Sequence, residues 1–233
     1  MRNKLASNSF IIFSVIYLLL ILFGREDIAW FIKPSLQLFL VWLVYTFEDF
    51  PTKKILLAAL AFSWIGAINE MFNGNPKLTF ILGICIFLAT HIFYIILFTK
   101  QPKTEKFRFS FIFLIGIGVV LIHLLVMLSL LLPNLGNSKI PVIIYAFTLS
   151  TMLISAFKGS LHWENPANMN ILLGAFIFAF SDSINALNLF YTDIPKASFW
   201  IEFSYLAAQF LIVSGILCLN KQKTASSLNK YAV

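Results

Sequence analysis

An acidic side chain interrupts a long apolar stretch in the last third of the chain. Asp182 follows about three helical turns of mainly apolar residues that begin after Asn168. A charge near the centre of a bilayer costs about 2.5–3.5 kcal/mol on insertion scales, so such residues are usually kept for a polar cavity, an ion pair or chemistry. No other apolar stretch carries Lys or Arg at its centre. We therefore interpret Asp182 as a candidate catalytic residue; the structural alternative is a protonated carboxyl that hydrogen-bonds a neighbour.

Further polar residues lie in the apolar stretches at spacings of three or four, which puts them on shared helix faces. They are Ser181 and Asn185 beside Asp182, His91 and Tyr94, Tyr205 and Gln209, and Glu70 in another stretch. Interhelical hydrogen bonding explains the amides at least as well as chemistry does. Glu70 also fits a side chain that reaches the membrane interface. No His-x-x-x-His spacing occurs, so the sequence predicts no metal site.

The composition is that of a membrane protein. Hydrophobic residues make up 60% of the chain and charged residues 12%, against about 25% charged in soluble domains. The net charge of +7 comes from basic residues at the ends of apolar segments. That placement indicates membrane topology and not a nucleic-acid partner.

The apolar segments predict an all-α polytopic protein with eight transmembrane helices in one integral membrane domain, residues 1–233. Crossing a bilayer takes about 17–25 residues. The predicted helices are 8–24, 29–47, 54–72, 78–98, 109–132, 140–157, 169–191 and 197–219.

The basic residues also predict an orientation. Of the 17 Lys and Arg, 12 fall at the two termini and in alternate loops, most densely between Lys100 and Arg108. The positive-inside rule then places both termini in the cytoplasm. We expect an integral protein of a bacterial inner membrane.

A four-plus-four parallel repeat is a further prediction. Residues 62–70 resemble 178–186, and residues 87–92 resemble 205–210. Such a repeat places a binding site between its halves. Chance similarity between apolar helices is the alternative.

At these residues the chain resembles the YhhN-like family, whose best-known members are membrane lysoplasmalogenases. The resemblance runs from Lys33-Pro34 to Gly215. The motifs that carry it are Phe62-Ser63-x-x-Gly66, Gly83-x-x-x-Phe87-x-x-x-His91-x-x-Tyr94, Pro141-x-x-x-Tyr145 with Met152, Gly174-Ala175-x-x-Phe178-x-x-Ser181-Asp182-Ser183, Asn185-Ala186-Leu187-Asn188 and Tyr205-x-x-Ala208-Gln209.

The resemblance implies an eight-helix enzyme that cleaves the vinyl ether bond of a lysoplasmalogen. The products are a fatty aldehyde and a glycerophospho head group, and no cofactor is needed. A buried carboxyl suits this reaction because a general acid must transfer a proton to carbon. A second carboxylate stabilises the resulting cation and orients water, as in glycosidases.

The chain departs from the family at the second carboxylate. The family has Asp directly after the glycine in its third helix, where this chain has Gly66-Ala67. Glu70 lies three residues further on, on nearly the same face, and is the candidate replacement.

Our first hypothesis is a lysoplasmalogenase-like hydrolase whose catalytic residues are Asp182 and Glu70. The substrate is then a lysophospholipid from the bilayer, and the residues expected to line its cavity are His91, Tyr94, Ser181, Asn185, Tyr205 and Gln209. Loss of the partner at Ala67 leaves a non-enzymatic lipid-binding or transport protein as the alternative. A small transporter whose Asp182 carries protons is a third hypothesis.

Overall fold

The computed structural model describes residues 2–71, 76–101 and 111–231, apart from the side chains at 2, 76–78 and 223–231. These residues form eight α-helices and one short 3₁₀ turn, and no strand. The helices are α1 (Arg2–Leu22), α2 (Glu26–Thr46), α3 (Lys53–Asn69), α4 (Pro76–Lys100), α5 (Phe111–Leu131), α6 (Lys139–Ser160), α7 (Ala167–Phe190) and α8 (Ala197–Tyr231). The predicted all-α fold is confirmed.

The helices have the length and polarity that membrane crossing requires. Seven helices in the described part of the chain are long and apolar enough to span a bilayer. The exception is α3, whose 17 residues lie at the lower end of the spanning range. Large apolar side chains such as Ile12 of α1 and Ile122 of α5 are more than half exposed. They are the lipid-facing surface of a polytopic membrane protein.

Two helices extend well beyond their predicted bounds. We expected α1 to begin at residue 8, but it begins at Arg2. We expected α8 to end at residue 219, but it continues to Tyr231. Hydropathy detects only the part of a helix that lies in hydrocarbon, whereas the backbone continues as helix through polar residues at the interface. Lys103, Lys106 and Arg108, which contribute to the predicted orientation, lie outside the described residues.

The packing order of the helices is nearly preserved when every helix number is shifted by four. In the first half, each helix contacts the next one along the chain, from α1 to α4, and the same holds in the second half from α5 to α8. Between the halves, α4 contacts α6, and the corresponding pair after the shift, α8 and α2, is also in contact. Phe87 and Tyr205, equivalent in the predicted repeat, touch each other with ring centres 6.2 Å apart. Equivalent residues that lie close to a two-fold axis between the halves would make such a contact. The repeat itself stays a prediction.

Small residues bring α7 and α8 into backbone contact. A Cβ added at Gly174 would lie 2.9 Å from the Ile212 backbone nitrogen, and one at Gly215 would lie 3.0 Å from the Ile171 nitrogen. Glycine at both positions therefore permits a close approach typical of membrane helix pairs. It brings the polar faces of the two helices to one cavity.

Candidate active site

A cavity of about 130 Å³ lies at one end of the bundle, where α3 and α7 end and α4, α6 and α8 begin. Three carboxylates line it, on Glu70, Asp182 and Glu202. The remaining lining residues are Phe80, Gly83, Ile84, Phe87, Val142, Tyr145, Ser181, Asn185, Ala186, Leu189, Phe190, Ile201 and Tyr205. An apolar cavity with a few convergent polar groups is typical of a small-molecule site.

Asp182 is held from two sides at the wall of this cavity. The Tyr145 hydroxyl donates a hydrogen bond to its Oδ2 at 2.7 Å. His91 Nε2 lies 3.3 Å from the same oxygen, although the approach lacks hydrogen-bond geometry. The carboxylate side chain is 16% exposed. Asp182 is thus positioned by α4 and α6 while it still reaches the cavity.

His91 supplies the partner that the sequence argument did not find for Asp182. Its ring is fully buried, and its Nδ1 lies 2.6 Å from the Phe87 carbonyl oxygen. A carbonyl oxygen can only accept, so Nδ1 carries a proton. Its other nitrogen, Nε2, faces Oδ2 of Asp182. The structure thus places an imidazole beside the carboxyl group.

A second charged cluster lies on the opposite side of the cavity. Lys33 Nζ of α2 is 3.0 Å from Glu70 Oε2 and 2.6 Å from Glu202 Oε1. The Glu202 side chain is 11% exposed and that of Glu70 37%. One ammonium therefore holds two carboxylates, and the cluster is negative by one charge when all three groups are ionised.

A buried hydrogen-bond chain lies beneath both clusters. Ser63 Oγ of α3 is 2.7 Å from the Tyr205 hydroxyl and accepts a hydrogen bond from Gln209 Nε2 at 2.6 Å. Gln209 in turn accepts from the Tyr94 hydroxyl. This chain joins α3, α4 and α8, and satisfies polar groups that would be costly if left unpaired in the core.

The residues selected from the sequence fall into two groups in the structure. Five of them line the cavity: Glu70, Ser181, Asp182, Asn185 and Tyr205. Ser181 also donates to the Ile201 carbonyl oxygen of α8 at 2.9 Å. His91, Tyr94 and Gln209 are fully buried, where His91 contacts Asp182 and the other two support Tyr205 through Ser63. Their catalytic and binding roles stay predictions.

Sequence reasoning missed Glu202 and assigned Lys33 no role in a site. Glu202 lies three residues before Tyr205 and seven before Gln209, which places all three on one face of α8. That spacing could have identified it. Tyr145 entered only through the family motif, and no spacing within α6 sets it apart.

Ala67, the position of the family's second Asp, is 6% exposed. Glu70, one helical turn further along, brings a carboxylate to the cavity wall.

The fold and the cavity define a polytopic helical membrane protein with a carboxylate-lined pocket between its helices. The YhhN family model matches residues 28–216, and the chain belongs to the YhhN family. No curated protein and no solved structure shows significant similarity to the chain.

Proposed function

We propose that this protein is a lysoplasmalogenase-like hydrolase, which cleaves the vinyl ether bond of a lysoplasmalogen within the membrane. The observation that carries the proposal is the Asp182 carboxyl group, which lies beside His91 Nε2 and accepts a hydrogen bond from Tyr145 at the wall of a cavity with two further carboxylates. Membership of a family associated with lysoplasmalogenase agrees with it. Proton transfer to a vinyl ether carbon is a step in which a carboxyl group positioned in this way can serve as the acid.

The reaction begins at Asp182. In its protonated form the carboxyl transfers a proton to C2 of the alkenyl chain, and C1 becomes an oxocarbenium ion. The Tyr145 hydroxyl bond to Oδ2 stabilises the carboxylate that remains.

Water then adds to C1. Glu70 accepts the water proton, because its Oε1 is free of the Lys33 bond that holds Oε2. The hemiacetal collapses as the bond between C1 and the glycerol oxygen breaks: Glu70 gives its proton to that oxygen, and the hemiacetal hydroxyl gives its proton to Asp182 as the aldehyde forms. The sum is substrate and water on one side, and a fatty aldehyde and a glycerophospho head group on the other.

The substrate comes from the bilayer. The orientation of the protein in the membrane follows from the positive-inside rule. With both termini in the cytoplasm, the cavity end of the bundle faces away from it. Glu70, Asp182 and Glu202 outnumber Lys33 at this end, which favours a head group that carries an ammonium. A purely anionic head group is disfavoured.

A direct assay tests the proposal. Purified protein in detergent, given a lysoplasmalogen, is expected to release aldehyde, and Asp182→Asn is expected to remove most of that activity. Asp193→Asn is the matched control, since Asp193 is exposed beyond the end of α7. Absence of aldehyde under conditions that support an active relative contradicts the proposal.

A second candidate function rests on Ala67 and the ion pair of Glu70. If Lys33 holds Glu70 too firmly for it to act on water, the protein binds lysolipid without cleaving it. Ala67→Asp separates the two functions. Activity gained only in this variant supports the binding protein, whereas wild-type activity that Ala67→Asp leaves unchanged supports Glu70 as the working carboxylate.

A further inference from the structure

A second and smaller cavity lies on the other side of Asp182. Its volume is about 50 Å³, and it is bounded by α5, α6 and α7. Apolar side chains make most of its wall, among them Leu124, Met127, Leu131, Ala146 and Leu149. It differs in this respect from the first cavity, whose wall carries three carboxylates.

The two cavities meet at Asp182. Val142, Tyr145, Asp182 and Ala186 line both of them. The neighbours of Asp182 along α7 point to different sides. Ser181 lines the first cavity and bonds α8, whereas Ser183 lines the second and lies 3.0 Å from His123 Nε2 of α5. Asp182 and Tyr145 therefore lie between a cavity lined by three carboxylates and a more apolar one.

The outer wall of the second cavity borders the lipid. Beside its lining residues on α5, Ile122, Leu125 and Val126 are 63%, 66% and 49% exposed. Apolar side chains with this exposure face hydrocarbon in a membrane helix. The second cavity thus lies next to the lipid-facing surface of α5.

A lysoplasmalogen has the matching division of polarity. Its reacting bond joins a charged head group to a hydrocarbon chain, so an acid at that bond has polar substrate on one side and apolar substrate on the other. We propose that the cavity between α5, α6 and α7 is the hydrocarbon-chain subsite of the lysolipid. The assignment rests on the proposed function and extends it, with the head group in the first cavity.

Photolabelling tests the subsite without relying on catalysis. The probe is a 1-O-alkyl lysophosphoethanolamine with a diazirine in the first carbons of its chain, since a saturated ether is not a vinyl ether and cannot be cleaved by this route. Labelled peptides are expected to map to α5 and α6, at Leu124, Met127 and Ala146. Labelling confined to Phe80, Leu189 and Phe190 of the first cavity overturns the subsite, as does absence of labelling.

Two neighbouring variants on α5 give a second test. Met127→Trp fills the second cavity, whereas Val126→Trp points to the lipid and is the matched control. Met127→Trp is expected to lower kcat/KM for long-chain lysoplasmalogen about tenfold or more, and to lower photolabelling, relative to Val126→Trp. Equal kcat/KM and labelling in the two variants overturn the subsite.

The two tests separate the failure of each proposal. If α5 and α6 are labelled but the protein releases no aldehyde, the chain subsite is supported and the proposed hydrolase activity is contradicted. If the protein releases aldehyde but only the first cavity is labelled, the hydrolase activity is supported and the chain subsite is contradicted.

Discussion

The two charged clusters at the first cavity come from helices that the predicted repeat would make equivalent, but they hold charge differently. Asp182, His91 and Tyr145 come from α7, α4 and α6. Glu70, Glu202 and Lys33 come from α3, α8 and α2, which are the same three helices after a shift of four. The first cluster has one carboxylate and a titratable partner. The second has two carboxylates and a permanent cation.

This difference divides the chemistry between the two sides. His91 and Asp182 are both groups that can donate or accept a proton. Lys33 lies between two carboxylates, so its cluster carries a net negative charge when all three groups are ionised. An acid on one side and a stabiliser of positive charge on the other is the arrangement that an oxocarbenium reaction needs.

The largest expected effect comes from removing the transferable proton. Asp182→Asn keeps the shape and the Tyr145 contact but cannot act as the acid. We expect aldehyde release to fall by about 10²–10⁴-fold, the usual contribution of a general acid. Full activity in this variant would remove Asp182 from the reaction and leave only its pairing with His91.

Substitutions of the two glutamates in the second cluster are expected to have different effects on turnover and stability. Glu70→Gln should lower turnover by roughly 10²-fold, since it removes the group that takes the water proton. Glu202→Gln should act mainly on the melting temperature, because Glu202 is more buried and closer to Lys33 than Glu70 is. Turnover and thermal unfolding should be measured on both variants. If Glu202→Gln lowers turnover and Glu70→Gln lowers mainly the melting temperature, Glu202 is the group that accepts the water proton.

Removing the cation should destabilise the protein more than it alters the chemistry. Lys33→Met leaves Glu70 and Glu202 close together without a counter-charge. We expect a loss of about 1–3 kcal/mol in the free energy of unfolding, less than for a fully buried pair because Glu70 is partly exposed. Lys54→Met, at an exposed position in α3, is the control in the same thermal melt. Equal melting temperatures would show that Lys33 does not stabilise the cluster.

The smallest effect is expected from a change in the buried hydrogen-bond chain beneath the clusters. Tyr94→Phe removes the hydrogen bond to Gln209, which keeps its bond to Ser63. The loss in stability should be about 0.5–1.5 kcal/mol with turnover nearly unchanged. Exposed Tyr191, changed to Phe, provides the comparison. A Tyr94→Phe variant that folds normally but lacks activity would place Tyr94 in the reaction.

The fold was predictable because apolar length is a strong signal. Hydropathy alone identified each helix, and its errors fell at the ends, where Arg2 and Tyr231 extend helices beyond the hydrocarbon. Asp182 was predictable for the same reason, since a carboxylate within an apolar run is rare. Its cost in a bilayer makes it visible without any knowledge of its neighbours.

The partners of Asp182 were not predictable from local pattern. The sequence could not identify His91 as the partner of Asp182, because their contact joins two helices about ninety residues apart in the sequence. Lys33 and Glu202 lie near helix starts, where charged residues usually mark the interface. Only the packing of α2 against α3 and α8 brings them together with Glu70, and helix packing is set by side-chain shape across the whole bundle.

Deuterium incorporation during turnover tests the central claim most directly. When the protein cleaves a lysoplasmalogen in D₂O, the account predicts a fatty aldehyde with one deuterium at C2, delivered from Asp182. Asp182→Asn should produce almost none of it, whereas Asp193→Asn should match the wild type. Aldehyde without deuterium at C2, or equal formation of the deuterated aldehyde by Asp182→Asn, would contradict a reaction that begins with proton transfer from Asp182.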